Sequence, residues 1–242
     1  MSVERPTPQV VAFDGLHRSG KGTQATLLHE ANIASGARSI IVRGDGTRDG
    51  LGLTEGDPYC PEWQKRSREM KSGNSNSVED WNASSLLLMT ELQNHIRENE
   101  KDMIIVDRSI LSRAAFLLHR GVFDTSDDVS IHDLYPGNSS LDSDRRVDFK
   151  KTLPNILFNL SPKNPKVLLD RLDKDDPKYQ FRSRNIKGGF NAAQSAIDLL
   201  PKNLQEIVVD IDCSEDERVI HNRVVRSLGR VGLGSWLKMV DD

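Results

Sequence analysis

Short apolar runs bounded by turn residues alternate along this chain with longer stretches in which apolar residues recur every three or four positions. The run "QVVAF" (9–13) is brief, β-branched and followed by a Gly-rich turn, which predicts a buried strand. In "GTQATLLHEANIAS" (22–35), Ala25, Leu27, Leu28, Ala31 and Ile33 fall at helical spacing and Gly36 ends the pattern. "RSIIVR", "DMIIVD", "PNILFNL" and "EIVVDI" predict four further strands. Helical patterns lie between them: a long one in "VEDWNASSLLLMTELQNHIREN", then "SILSRAAFLLHRG", "NPKVLLDRL", "FNAAQSAIDLL" and "DERVIHNRVVRSL". Strands that alternate with helices predict an α/β chain whose five-stranded, mostly parallel sheet is covered on both faces.

Three stretches break the alternation. Gly44–Pro61 is rich in Gly, Asp, Pro and Thr and predicts a long loop. Asp124–Asp144 is polar and turn-rich, an expected insertion or surface loop. "DKDDPKYQFRSRNIKGG" (173–189) is charged, with little apolar content, and predicts a loop ahead of the helix that opens at Phe190. No internal repeat and no Pro/Ser-rich linker divides the 242 residues, so one large domain is expected.

Charge and composition narrow the function. The net charge of −3 offers no basic field for nucleic acid. Two cysteines, Cys60 and Cys213, are too few for a disulfide framework or a Cys-based metal site, which predicts a reducing compartment. The start "MSVERPTPQ" lacks a signal-peptide core, and no apolar run is long enough for a membrane span. A soluble, cytoplasmic protein is expected.

The strongest chemical signal follows the first strand. Gly15, Leu16, His17, Arg18, Ser19, Gly20 and Lys21 fit G-x-x-x-x-G-K. Such a loop turns successive backbone N–H groups inward while the next helix presents its positive end, so together they cradle a nucleotide β-phosphate. Lys21 then reaches the β- and γ-oxygens. The motif continues as Gly22-Thr23, so the hydroxyl expected directly after the Lys comes one residue later. Magnesium is then held by Thr23, or mainly through water and phosphate. Asp107 and Arg108 close a buried strand at the carboxyl edge where open α/β sheets bind ligands, and Asp14 ends the first strand in the same way.

"FDGLHRSGKGTQATLL" resembles the opening of thymidylate kinases, and its G-K-G-T spelling is also found in adenylate kinases. "IIVDRSILSRAAF" resembles the Asp-Arg-aromatic motif and helix of the same family; "PNILFNLSPKNPKVLLDRL" and "IVVDIDCSEDERVIHNRV" are similar to its later strand–helix units. The resemblance runs in order over nearly the whole chain. It implies a P-loop NTPase-type three-layer α/β/α fold with a lid over about 174–188, ATP and Mg2+ as cofactors, and a homodimer. It also implies roles. Arg18 and Lys21 would neutralise the transferring phosphate. Arg108, and Arg43 in preference to Arg48, would hold the acceptor phosphate. Asp107 would orient a magnesium-bound water or fix Arg108, and Asp14 would face magnesium or the acceptor phosphate. From the lid, Arg182 and Arg184, ahead of Lys178, would cover the donor.

The acceptor pocket departs from the family. Met89 stands in place of a stacking aromatic, and Gln93 in place of a base-reading Arg. His17 replaces an Asp and Ser109 an aromatic. Met89 either touches a base face through its thioether or is core packing; Gln93 offers a base edge both a donor and an acceptor. The expectation is a nucleoside monophosphate kinase acting on a small-molecule nucleotide, with thymidylate the leading acceptor. A kinase of another nucleotide or nucleoside, or a non-catalytic nucleotide-binding regulator, remains as the alternative.

Overall fold

The computed structural model describes residues 7–43, 92–98, 100–119, 152–175, 179–200 and 202–237. Their elements are β1 (Gln9–Gly15), α1 (Lys21–Ala34), β2 (Ser39–Arg43), α2 (92–98), β3 (Met103–Asp107) and α3 (Ile110–His119). There follow β4 (Ile156–Ser161), α4 (Lys166–Asp170), α5 (Tyr179–Asp198), α6 (Lys202–Gln205), β5 (Val208–Asp212) and α7 (Glu217–Arg230). All five expected strands are present, and they form one parallel sheet in the order β2-β3-β1-β4-β5.

The period of two along each strand divides the core in two. Val10, Ala12, Ile104, Val106 and Leu157 point to one face, where Leu111 of α3, Ala196 and Ile197 of α5 and Leu92 of α2 cover them. Val11, Phe13, Ile105, Ile156, Phe158 and Ile211 point to the other, beneath Leu28 of α1 and Ile220, Val224 and Leu228 of α7. Phe13 and Phe158, on neighbouring strands, stack with ring centroids 5.4 Å apart. Both faces are therefore dry, which is why the strands read as unbroken apolar runs. The outcome is the α/β architecture expected, with β1 at the centre of the sheet.

Two features lay beyond the sequence pattern. The charged stretch expected as a lid loop over 174–188 is helical from Tyr179, and α5 runs on without a break to Asp198. Gly188 and Gly189, inside the stretch expected as a loop, are contact surfaces. A Cβ at Gly188 would lie 2.1 Å from His119 Cε1, and one at Gly189 would lie 3.0 Å from Leu16 Cδ2. Ile186, Gly189, Ala193, Ala196 and Ile197 supply the buried helical face, while Arg184 and Lys187 take the exposed one. The second feature is a C-terminal strap, 231–237. The Trp236 indole N–H donates to Asn32 Oδ1 at 2.6 Å and the Gly234 amide to Gln9 Oε1 at 2.8 Å. Asn32 sits wholly inside α1's buried face and donates its own amide to Leu28 O at 2.8 Å.

Candidate active site

The chain order turns at β1: β3 lies on one side of it and β4 on the other. In parallel sheets that switch point opens a crevice at the carboxyl ends of the strands. The G-x-x-x-x-G-K loop stands there, between β1 and α1. Gly15 has φ 132, and a Cβ on it would meet Leu160 O at 2.2 Å, so only glycine lets β1 pass so close to β4 and then turn. Gly20, at φ 89, leads into α1, whose first turn holds no acidic residue and no side-chain cap. The first N–H groups of the helix therefore have neither an intrahelical partner nor a side-chain cap.

Lys21 is 4% exposed, and its ammonium donates to Leu16 O and, at 3.2 Å, to Ser19 Oγ, both within its own loop. Burial, reinforced by the Arg108 charge and opposed by Asp107 and Asp14, brings its pKa down to about 7. His17 is held neutral with a pKa of about 4, first by burial and then by the charges of Arg108, Arg182, Lys21 and Arg18. Its Nε2 is buried and has no hydrogen-bond partner. The charges of three arginines and of Lys21 are thus felt at this ring beside the loop, a distribution that suits a polyanionic ligand.

Among the described residues, the non-glycine positions with positive φ are Arg18, at 65, and Arg108, at 72. A non-glycine residue enters that region only where its surroundings impose it, and such residues cluster at functional sites. Arg18 is exposed; its carbonyl accepts from Arg171 Nη1 at 3.4 Å, while Arg171 Nη2 donates to Cys213 O at 2.8 Å. Arg171 thus ties the loop to the turn after β5, a connection that sequence reading missed. The Arg108 amide donates to Phe13 O at 2.9 Å.

Several expected site residues are redistributed. Asp14 does not face a ligand crevice: it is 0% exposed, and Ser109 and Ser112 occupy both its oxygens. Burial raises its pKa, against those hydrogen bonds. Thr23 is exposed, and the position on α1 that faces Asp107 is Gly22, where a Cβ would lie 3.4 Å from Asp107 Oδ2. One helical residue turns the side chain by about 100°, so the hydroxyl of G-K-G-T looks elsewhere. Arg182 acts on His17 from α5, but Arg184, two residues on, is exposed.

Gln93 is buried in α2. Arg43 ends β2 in register with Asp107, and its side chain lies outside the described residues. Met89, Arg48, Lys178 and Asp124–Asp144 also lie outside them. Among the described residues no group of three or more His, Cys, Asp or Glu is arranged to hold a metal ion. A single carboxylate, Asp107, beside the loop suits a magnesium ion carried largely by phosphate and water.

No known protein-family model matches this sequence, and no curated protein matches it. A solved structure does. Thymidylate kinase from Candida albicans, reported as revealing the origin of broad substrate specificity and a novel structural element, aligns with 98% of this chain and 96% of that chain. The TM-score is 0.56 at 17% sequence identity. This chain has a thymidylate-kinase-like fold. No helix among the described residues is long and apolar enough to cross a membrane.

Proposed function

We propose that this chain is a nucleotide kinase, moving the γ-phosphoryl group of ATP onto a nucleoside monophosphate, with thymidylate the leading acceptor. The observation that carries this reading is a G-x-x-x-x-G-K loop set between β1 and α1 at the sheet's switch point, with Arg108 held at φ 72 directly after the neighbouring strand β3. Phosphoryl transfer needs little covalent chemistry from the protein. It needs two phosphates held in line and their charge neutralised.

The loop amides and Lys21 would hold the β- and γ-phosphates, with Arg18 beside the γ-group. Arg108, at the end of β3, would hold the acceptor phosphate through its planar fork, with Arg43 from the neighbouring strand. Arg182 would add charge from α5. Gly189 brings α5 against Leu16 of the loop, and from there the helix would help to keep water from the phosphates. Magnesium, held by the phosphates and by Asp107, would neutralise charge on the bridging oxygens.

The test is ADP release with magnesium and ATP across a panel of nucleoside monophosphates and nucleosides. Turnover that saturates with a monophosphate, thymidylate first, is expected. Lys21→Ala should lower it by about a hundredfold or more, since it removes a charge aimed at the transition state. Nucleotide binding without turnover of any acceptor would replace the kinase by a nucleotide-binding regulator.

A further inference from the structure

We propose that Asp14 is a positioning residue for Arg108: its buried carboxylate, held by Ser109 and Ser112, fixes the turn that sets this arginine beside the phosphate loop. Asp14 directly precedes Gly15, the first residue of that loop. Its Oδ1 accepts from the Ser109 amide at 2.9 Å, the Ser112 amide at 3.1 Å and the Ser112 hydroxyl. Its Oδ2 accepts from the Ser109 hydroxyl. The next residue back, Phe13, accepts from the Arg108 amide at 2.9 Å. Arg108 is thus pinned to β1 on both sides, by its own amide and by those of the residue after it.

Between these bonds the chain passes through φ 72 at Arg108. An L-residue does not hold that conformation unaided. Here a carboxylate with 0% exposure gathers four donors around the turn and gives it no alternative partner. Two of the four contacts come from backbone N–H groups, which only donate, so the side chain must present oxygen to them. An asparagine would turn an N–H toward the same donors. The anchor is shared: the residue just before the phosphate loop also seats the arginine across from it, so the two halves of the site keep one spacing. Asp14 does this without touching substrate.

Two readouts test this, and they fail separately. The first is amide hydrogen exchange on the full chain, independent of any activity. In Asp14→Asn and in Ser109→Ala with Ser112→Ala, exchange at Arg108, Ser109 and Ser112 should accelerate by about tenfold or more, as lost buried bonds allow local opening. Ile104–Val106 should stay within about twofold of wild type, because β3 keeps its ladder. Ser112→Thr, which keeps the hydroxyl, should exchange as wild type does, and Ser112→Ala alone serves should the double variant not fold. Unchanged exchange at 108–112, or equal acceleration through β3, would overturn the proposal. The second readout rests on the kinase reading: acceptor KM should rise about tenfold while ATP KM stays within about twofold. Equal rises in both contradict the positioning role. A wild type that phosphorylates no acceptor defeats the kinase reading and leaves the exchange pattern to decide.

Discussion

Lys21 shows how one residue is tuned by its place. Its ammonium is almost wholly buried and shares its surroundings with Arg108, so its pKa falls to about 7, although Asp107 and Asp14 pull the other way. At pH 8 such a lysine is about nine-tenths neutral. Bound phosphate favours the charged form and draws a proton in. Calorimetry of magnesium ATP at pH 8, in two buffers of different ionisation enthalpy, should therefore report uptake of about 0.9 proton per nucleotide. Lys21→Ala should abolish the uptake; an equal uptake in that variant would assign the proton to another group. Gly15 is tuned by space. With φ 132 and Leu160 O only 2.2 Å from where a Cβ would stand, Gly15→Ala should cost about 3 kcal/mol or more, read from denaturant unfolding. A loss under about 0.5 kcal/mol would mean that β1 and β4 can part cheaply.

Among elements, what could be read from sequence was local, and what could not was distant. The phosphate loop was legible because its glycines, its lysine and the helix behind it are contiguous. The strands were legible because both sheet faces are dry. The partners of Asp14 were not legible because they sit 95 and 98 residues away. The exposure of Thr23 was not legible because a spelling says nothing about which side of α1 faces Asp107. The charged opening of α5 looked like a loop because its glycines, neutral in a periodicity count, serve as contacts with His119 and Leu16. The C-terminal strap left no signal either, since one buried asparagine in an amphipathic helix reads as an exception. Trp236→Phe probes that contact: a smaller aromatic ring remains and the N–H is lost, leaving Asn32 Oδ1 without it. The expected loss is about 1–3 kcal/mol of unfolding free energy. No loss would show that the strap holds by packing alone.

At the scale of the whole molecule, burial of titratable groups, aided at His17 by neighbouring cations, shapes the pH response. His17 has its pKa lowered from 6.5 to about 4, so the unfolded chain binds more protons there between those values. Stability from this group therefore rises with pH across that window and is complete above it. His221, buried in α7, is lowered for the same reason and adds the same sign. Asp14, raised by burial, acts with the opposite sign above the ordinary carboxylate pKa. The difference between wild type and His17→Gln isolates the first contribution: the unfolding free energy of the variant should climb less steeply from pH 4 to 6.5. Parallel curves would show that His17 is not held neutral by its neighbours.

The account as a whole rests on a phosphate loop that delivers the terminal phosphoryl group of a nucleotide to an acceptor gripped by Arg108. Its most direct test follows the group itself, with ATP labelled at the γ-phosphorus, magnesium and thymidylate, using wild type, Lys21→Ala and Arg108→Ala. The account predicts label recovered on the acceptor as a diphosphate with wild type, and almost none with either variant. Transfer at equal rates in all three, or label released only as inorganic phosphate by the wild type, would contradict it.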